Sequence, residues 1–182
     1  MTKTELRIRL YGDPALRKKT RLVDKVTDHH RQILSQMSRL MYADNGVGLA
    51  APQVAVEEAM IVVDIGSGLY KLINPKITKK RGTQVNQEGC LSIPGICVKV
   101  KRAQEVCVHF MDESGKPQII EARDLLACVL QHEIDHLKGV VIADYAGFIE
   151  RIKIKKKLEL LRKKVEDEQL SEQKEKSCEL QL

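Results

Sequence analysis

His132, Glu133 and His136 stand in the order H-E-x-x-H inside the apolar, helix-forming run Leu126–Leu137. In a helix, residues four apart share a face, so both imidazoles could reach one metal ion with Glu133 beside it as a proton acceptor. Leu126, Val129, Leu130, Ile134 and Leu137 recur at helical spacing, and Leu125 and Cys128 widen the stripe, which predicts a largely buried helix. Two histidines do not complete a catalytic site, which usually has three protein ligands and one open position. In the longer pattern H-E-x-x-H-x-x-G-x-x-H, Gly139 fits but Ile142 occupies the last histidine position. The downstream carboxylates Glu150 and Glu159 lie in a strongly basic stretch that reads as a solvated helix. Upstream, Cys90 sits in Gln87–Gly95, QEGCLSIPG, where a thiolate could complete a His2Cys set. A buried histidine pair without metal is the alternative that the motif alone leaves open.

Three stretches together resemble the peptide deformylases, whose motifs are G-x-G-L-A-A-x-Q, E-G-C-L-S and H-E-x-D-H. This chain reads Gly46-Val47-Gly48-Leu49-Ala50-Ala51-Pro52-Gln53, then Glu88-Gly89-Cys90-Leu91-Ser92, then His132-Glu133-Ile134-Asp135-His136. The resemblance spans about residues 5 to 165. It implies a metal held by Cys90, His132 and His136, with Glu133 as catalytic acid-base and the Gln53 amide and Leu91 backbone N–H as oxyanion donors. It also implies ferrous iron as the usual ion, with nickel or zinc able to take its place. The reaction implied is hydrolysis of the N-formyl group of a nascent chain's formylmethionine, giving formate and a free amine. Val47, Gly48, Gly89, Leu125, Cys128 and Val129 are the expected substrate-binding residues, forming an apolar pocket for the unbranched methionine side chain. Glu88 would either orient a ligand histidine or pair with an arginine such as Arg102. One departure is Cys97, near where many bacterial members carry a substrate-contacting arginine; Lys99 or Arg102 are the candidates to replace it. A zincin-type metalloendopeptidase is the alternative function, and it would give Cys90 no role.

Composition limits other readings. The chain has 182 residues with 43% apolar content, enough for one core of ordinary domain size. No apolar run approaches the roughly 18 residues of a membrane span, and no apolar signal core opens the chain. Five cysteines without C-x-x-C spacing fit a reducing compartment. A cytoplasmic monomer without a membrane partner is expected. Gly46–Ala51 fits a dinucleotide fingerprint literally, but the apolar periodicity before it is helical and Pro52 follows it, so the required strand–turn–helix context is absent. The net charge of +6, with no Trp and two Phe, offers little for base stacking.

The elements that must position these residues are short. Leu6, Ile8 and Leu10 alternate as in a half-buried strand ended by Gly12-Asp13-Pro14. Asp28 is an N-cap candidate for a helix to Tyr42 with Ile33, Met37, Leu40 and Met41 inward, and His29 and His30 are expected to be solvated. Ala59–Ile65 and Leu69–Asn74 flank a Gly-Ser-Gly turn; Lys76–Gln84 reads as a polar connection; Glu105–Met111 and Gln118–Ala122 form a second hairpin. The expected fold is α+β, with antiparallel β-sheets packed around a central H-E-x-x-H helix and a helix at each end. Residues 1–165 form one catalytic domain on this reading. Its basic C-terminal helix, about 148–164, would turn Ile149, Ile152, Leu160 and Leu161 inward, and residues 166–182 would form an acidic, disordered tail. In bacterial relatives such a helix docks on the ribosome, so the ribosome near its exit is the expected partner beside the formylmethionyl nascent peptide.

Overall fold

The computed structural model describes residues 6–179, with side-chain surroundings through residue 171. Helix α1 is Asp28–Ala43, followed by strands β1 (Gly48–Ala50), β2 (Met60–Val63), β3 (Tyr70–Arg81), β4 (Gln84–Glu88), β5 (Val98–Arg102), β6 (Glu105–Met111) and β7 (Pro117–Arg123), then helices α2 (Asp124–His136) and α3 (Phe148–Glu179). Five strands form an antiparallel sheet in the order β1-β2-β3-β6-β7, and β4 and β5 form a separate hairpin. The expected α+β arrangement is present, with α2 packed against the five-stranded sheet.

Strand β2 shows how the sheet carries two cores. All four of its residues are fully buried, Ile61 and Val63 joining Leu130 and Ile134 of α2 while Met60 and Val62 join Leu34, Met37 and Met41 of α1. Alternate side chains point to opposite faces, so a continuous apolar strand is what a sheet covered on both sides requires. Each fully buried Ile, Leu or Met contributes about 1.5–3 kcal/mol.

Several expectations are corrected. Residues 6–10 form no strand; Arg9 and Tyr11 N–H instead donate singly to the Gln53 and Ser92 carbonyls at 2.7 and 2.8 Å, tying the segment to the two motif loops. Thr27, not Asp28, caps α1, and His30 is buried with Nδ1 accepting from Thr27 N–H at 3.0 Å and Nε2 3.2 Å from Glu58. The supposed polar connection after Lys76 is strand, because β3 continues to Arg81 alongside β6.

The C-terminal helix departs furthest. Its inward stripe is Ile154, Leu158, Leu161 and Val165, whereas Ile149, Ile152 and Leu160 are more than half exposed; of the four expected residues only Leu161 packs inward. The spacing 154, 158, 161, 165 is the true helical repeat, and the expected set mixed two faces. Gly12 makes the docking close, since a Cβ there would stand 2.9 Å from Arg162 Cα, and the Arg17 and Arg162 guanidinium carbons each lie 5.9 Å from the Tyr11 ring centroid. The helix also runs to Glu179, past the end expected at about residue 164 and into the stretch expected to form the tail. That segment contains no Gly or Pro and is rich in Glu, Gln and Lys, residues that extend a helix already nucleated.

Candidate active site

The H-E-x-x-H residues occupy the last turns of α2, and His132, Glu133 and His136 are each less than a tenth exposed. Their spacing puts both rings on one face, with centroids 5.0 Å apart and planes at 66°. Across from them, the turn after β4 delivers Cys90. Its Sγ lies 3.3 Å from His136 Nε2, which is itself 3.3 Å from His132 Nε2. Tetrahedral coordination at usual bond lengths spaces nitrogen pairs by about 3.3 Å and sulfur–nitrogen pairs by about 3.5 Å, so the donor set fits a first-row divalent ion. Among the described residues this is the one Cys/His/Asp/Glu group of three with such convergence.

Electrostatics agree with the geometry. Burial and the neighbouring His132 hold His136 well below the usual histidine range, leaving it a neutral donor. Burial acts to lower His132 too, but the Cys90 and Glu88 side chains outweigh it and hold a proton on the ring. The negative surroundings that favour a proton there also favour a metal cation in its place. Burial pushes Glu133 up to about 7. Its Oε2 is buried without a protein hydrogen-bond partner, so one carboxylate oxygen remains available to accept a proton.

Strand β1 is shaped around that carboxylate. A Cβ on Gly48 would collide with Glu133 Oε1 and come within 2.9 Å of Val129, which explains a glycine at this position without reference to turn formation. Gln53, 1% exposed in the 3-10 turn Ala51–Val54, accepts from Ala50 N–H at 2.8 Å through Oε1. Its Nε2 is thereby directed at Ser92 Oγ and Cys90 Sγ, 3.2 and 3.5 Å away.

Glu88 does both things that its sequence context suggested as alternatives. Oε2 is 2.9 Å from His132 Nδ1, while Arg102 Nε and Nη2 donate to Oε1 and Oε2 at 2.8 and 2.9 Å. Burial alone would raise the Glu88 carboxyl, but the Arg102 and His132 hydrogen bonds hold it down at about 2. Arg102 is therefore committed to the interior and is no replacement for a substrate-contacting arginine. Cys97 is exposed, and a Cβ on Gly89 would lie 3.8 Å from its sulfur.

A cavity of about 480 Å3 opens beside these groups. Val47, Gly48, Gly89, Leu125, Cys128 and Val129 all line it, together with His132 and Glu133. Leu125 and Val47 stand at the rim, about half exposed, and Cys128 is buried with its thiol donating to Glu88 Oε1 at 3.2 Å. Burial beside Glu88 pushes that thiol up to about 12, so it remains protonated and serves as wall. Asn86, overlooked in the sequence, also lines the cavity; it lies two residues before Glu88 on β4, so strand alternation puts both on one face.

Comparison with known proteins agrees with this geometry. A family profile described as polypeptide deformylase matches residues 5–152. The peptide deformylase of Thermoanaerobacter pseudethanolicus is 49% identical over 139 residues, 76% of this chain and 87% of that protein. That of Syntrophomonas wolfei is 50% identical over 131 residues, 72% of this chain and 86% of that protein. Among solved structures, the Synechococcus elongatus peptide deformylase in complex with actinonin superposes with a TM-score of 0.81 at 41% identity, covering 86% of this chain and 88% of that one. The Thermus thermophilus enzyme gives 0.82 at 34% identity, covering 87% and 98%. The deformylase signature is thus present in sequence, in fold and in the groups brought together around α2, and the chain belongs to the peptide deformylase family of hydrolases, whose function is deformylation of nascent peptides.

Proposed function

We propose that Cys90, His132 and His136 hold the catalytic metal, and that Glu133, Gln53 and Leu91 carry out the deformylation chemistry around it. The observation that carries this reading is the convergence of the three donor atoms at the wall of a cavity that also holds a buried carboxylate with an unpartnered oxygen. A divalent ion there supplies Lewis acidity and an acidified water. Glu133 accepts a proton from the attacking water and passes it to the departing amine. The Gln53 amide and the Leu91 N–H donate to the formyl oxygen as negative charge develops on it. Glu88 keeps the proton of His132 on Nδ1, so that Nε2 faces the ion.

Ferrous iron is the ion proposed, on the resemblance to deformylases; the His2Cys donor set itself also suits nickel and zinc. Val47, Gly48, Gly89, Leu125, Cys128 and Val129 form the substrate pocket, for which an unbranched methionine is the natural occupant. We place residues 1–165 in one catalytic domain, a monomer working in the cytoplasm. Lys153, Lys155, Lys156, Lys163 and Lys164, exposed basic residues among those described in α3, suit rRNA phosphates near the ribosomal exit. No helix among the described residues is long and apolar enough to cross a membrane.

The test is formate release from formyl-methionyl peptides by iron-loaded protein prepared without oxygen. Release from the formyl peptide with no cleavage of acetylated or internal bonds is expected. Comparable cleavage of internal bonds would favour the endopeptidase, a reading that leaves Cys90 at the donor cluster unexplained.

A further inference from the structure

We propose that Tyr145 is a positioning residue for His132, acting through Asp135, Arg102 and Glu88. Tyr145 ends the 3-10 turn Ile142–Tyr145, beyond α2 and outside all three sequence motifs. Its hydroxyl donates to Asp135 Oδ2 at 2.7 Å. The same carboxylate oxygen accepts from Arg102 Nη1, and the Tyr145 ring lies over the Arg102 guanidinium with 4.9 Å between the guanidinium carbon and the ring centroid. Arg102 in turn grips Glu88 with Nε and Nη2, and Glu88 Oε2 meets His132 Nδ1.

Each link restricts the next. The Arg102 side chain is 4% exposed, so its charge depends on protein partners at every N–H. Glu88 satisfies Nε and Nη2; Asp135 and, at 3.5 Å, the Tyr145 hydroxyl accept from Nη1. Asp135 is 17% exposed and would otherwise be free to turn toward water. The Tyr145 hydroxyl fixes that carboxylate, and its ring lies against the guanidinium, adding a cation–π attraction. Burial and Asp135 push Tyr145 up to about 12, so it remains a donor at any pH where the protein works. A loosened Asp135 would let Arg102 rotate about its Glu88 contact, and Glu88 would then orient the His132 ring less sharply. The bland reading is that Tyr145 only anchors its own turn, which Asp144 already does through Arg17 at 2.5 and 3.0 Å.

The inference rests on the metal reading of Cys90, His132 and His136, and the experiment separates the two. Co2+ is titrated into metal-free protein, and both affinity and the cobalt ligand-field spectrum are read, with thermal stability measured in parallel. Tyr145→Phe keeps the ring, removes one hydroxyl and should fold. Expected is about a fivefold loss of Co2+ affinity, less than the roughly tenfold or more that losing a ligand's direct hydrogen-bond partner costs, with a shifted ligand-field spectrum. The loss should shrink below about twofold in a Glu88→Gln background, since that change cuts the chain between Tyr145 and His132. If Glu88→Gln does not fold, Asp135→Asn serves as the background. Asp144→Asn, which weakens the same turn from its other side, should lower the melting temperature and leave Co2+ affinity and spectrum unchanged. An unchanged spectrum and affinity in Tyr145→Phe, a full loss persisting in the cut background, or an equal loss in Asp144→Asn would each overturn the role given to Tyr145. A wild-type protein that takes up no Co2+ would overturn the metal reading and this inference with it.

Discussion

Glu88 Oε2 sits 2.9 Å from His132 Nδ1 and 2.9 Å from Arg102 Nη2, so one buried carboxylate oxygen joins His132, a proposed ligand, to the structural ion-pair network. Glu88→Gln should therefore damage two properties together. Metal affinity should fall about 10- to 100-fold, as when a ligand histidine loses its outer partner. Stability should fall by about 3–5 kcal/mol, because Arg102 remains buried with half its charge partners gone. Calorimetric metal titration and denaturant unfolding of the same sample check both; a loss in only one would separate the two roles.

The Glu88 carboxyl also sets a direction for acid stability. Its folded pKa, about 2, lies below the ordinary 4.5, so its contribution is fully present above 4.5 and is lost as pH falls toward 2. Acid unfolding of wild-type protein followed over that window should be steeper than that of Glu88→Gln, which has no such proton to take up.

The ligand set and the base should separate by substitution. His132→Ala, His136→Ala and Cys90→Ala should each abolish stoichiometric metal, whereas Glu133→Gln should retain metal and lose turnover by more than about a hundredfold. Metal analysis by mass spectrometry beside formate release decides this. Full metal in Cys90→Ala would place the third ligand elsewhere.

As base, Glu133 must be ionised, so kcat/KM should rise with pH through its pKa. Burial is the main cause of the rise of that pKa from 4.5 to about 7, partly offset by His132, and a cation beside it lowers it again, so the acid limb should fall between these values. A pH profile of kcat/KM with iron-loaded protein gives the limb directly. A limb above 7 would show that another group controls it.

Gly48→Ala tests the space in which Glu133 works. The added methyl has no room beside Oε1 and Val129, so the carboxylate must move, and kcat should fall by about a hundredfold for a displacement of about 1 Å. Methionine specificity should follow the same cavity, with formyl-Met peptides exceeding formyl-Asp peptides in kcat/KM. Equal values for the two peptides would sink the pocket assignment.

Removal of everything after Gly147 should now be more costly than a solvated helix would imply, since Ile154 and Leu158 complete the cluster around Ile93, Ile96 and Val98. Charge reversal at Lys153, Lys156 and Lys163 is the cleaner test of ribosome association, as these side chains are exposed. Co-sedimentation with ribosomes should weaken, most visibly at low salt, while turnover of a small formyl peptide is kept.

Local sequence determined the parts of this protein that depend on a fixed period. Histidines four apart on a helix share a face whatever surrounds them, and alternating residues in β5 and the β6–β7 hairpin follow from a period of two. The three motifs carried the family, and with it the expected ligands, base and pocket residues; the fold lines one cavity with them, except His136, which converges with Cys90 and His132 beside it. What periodicity could not decide is which of two workable faces is buried. In α3, Ile149 and Ile152 are as apolar as Ile154, and only the surface left by Leu16, Val141 and Ile142 selects the Ile154 face. Likewise, nothing in the residues around Glu88 reveals that it holds His132 and Arg102 at once, or that Tyr145 closes the chain behind them. Those contacts join residues 10 to 44 positions apart, and they exist because a buried charge must find every one of its partners within the folded interior.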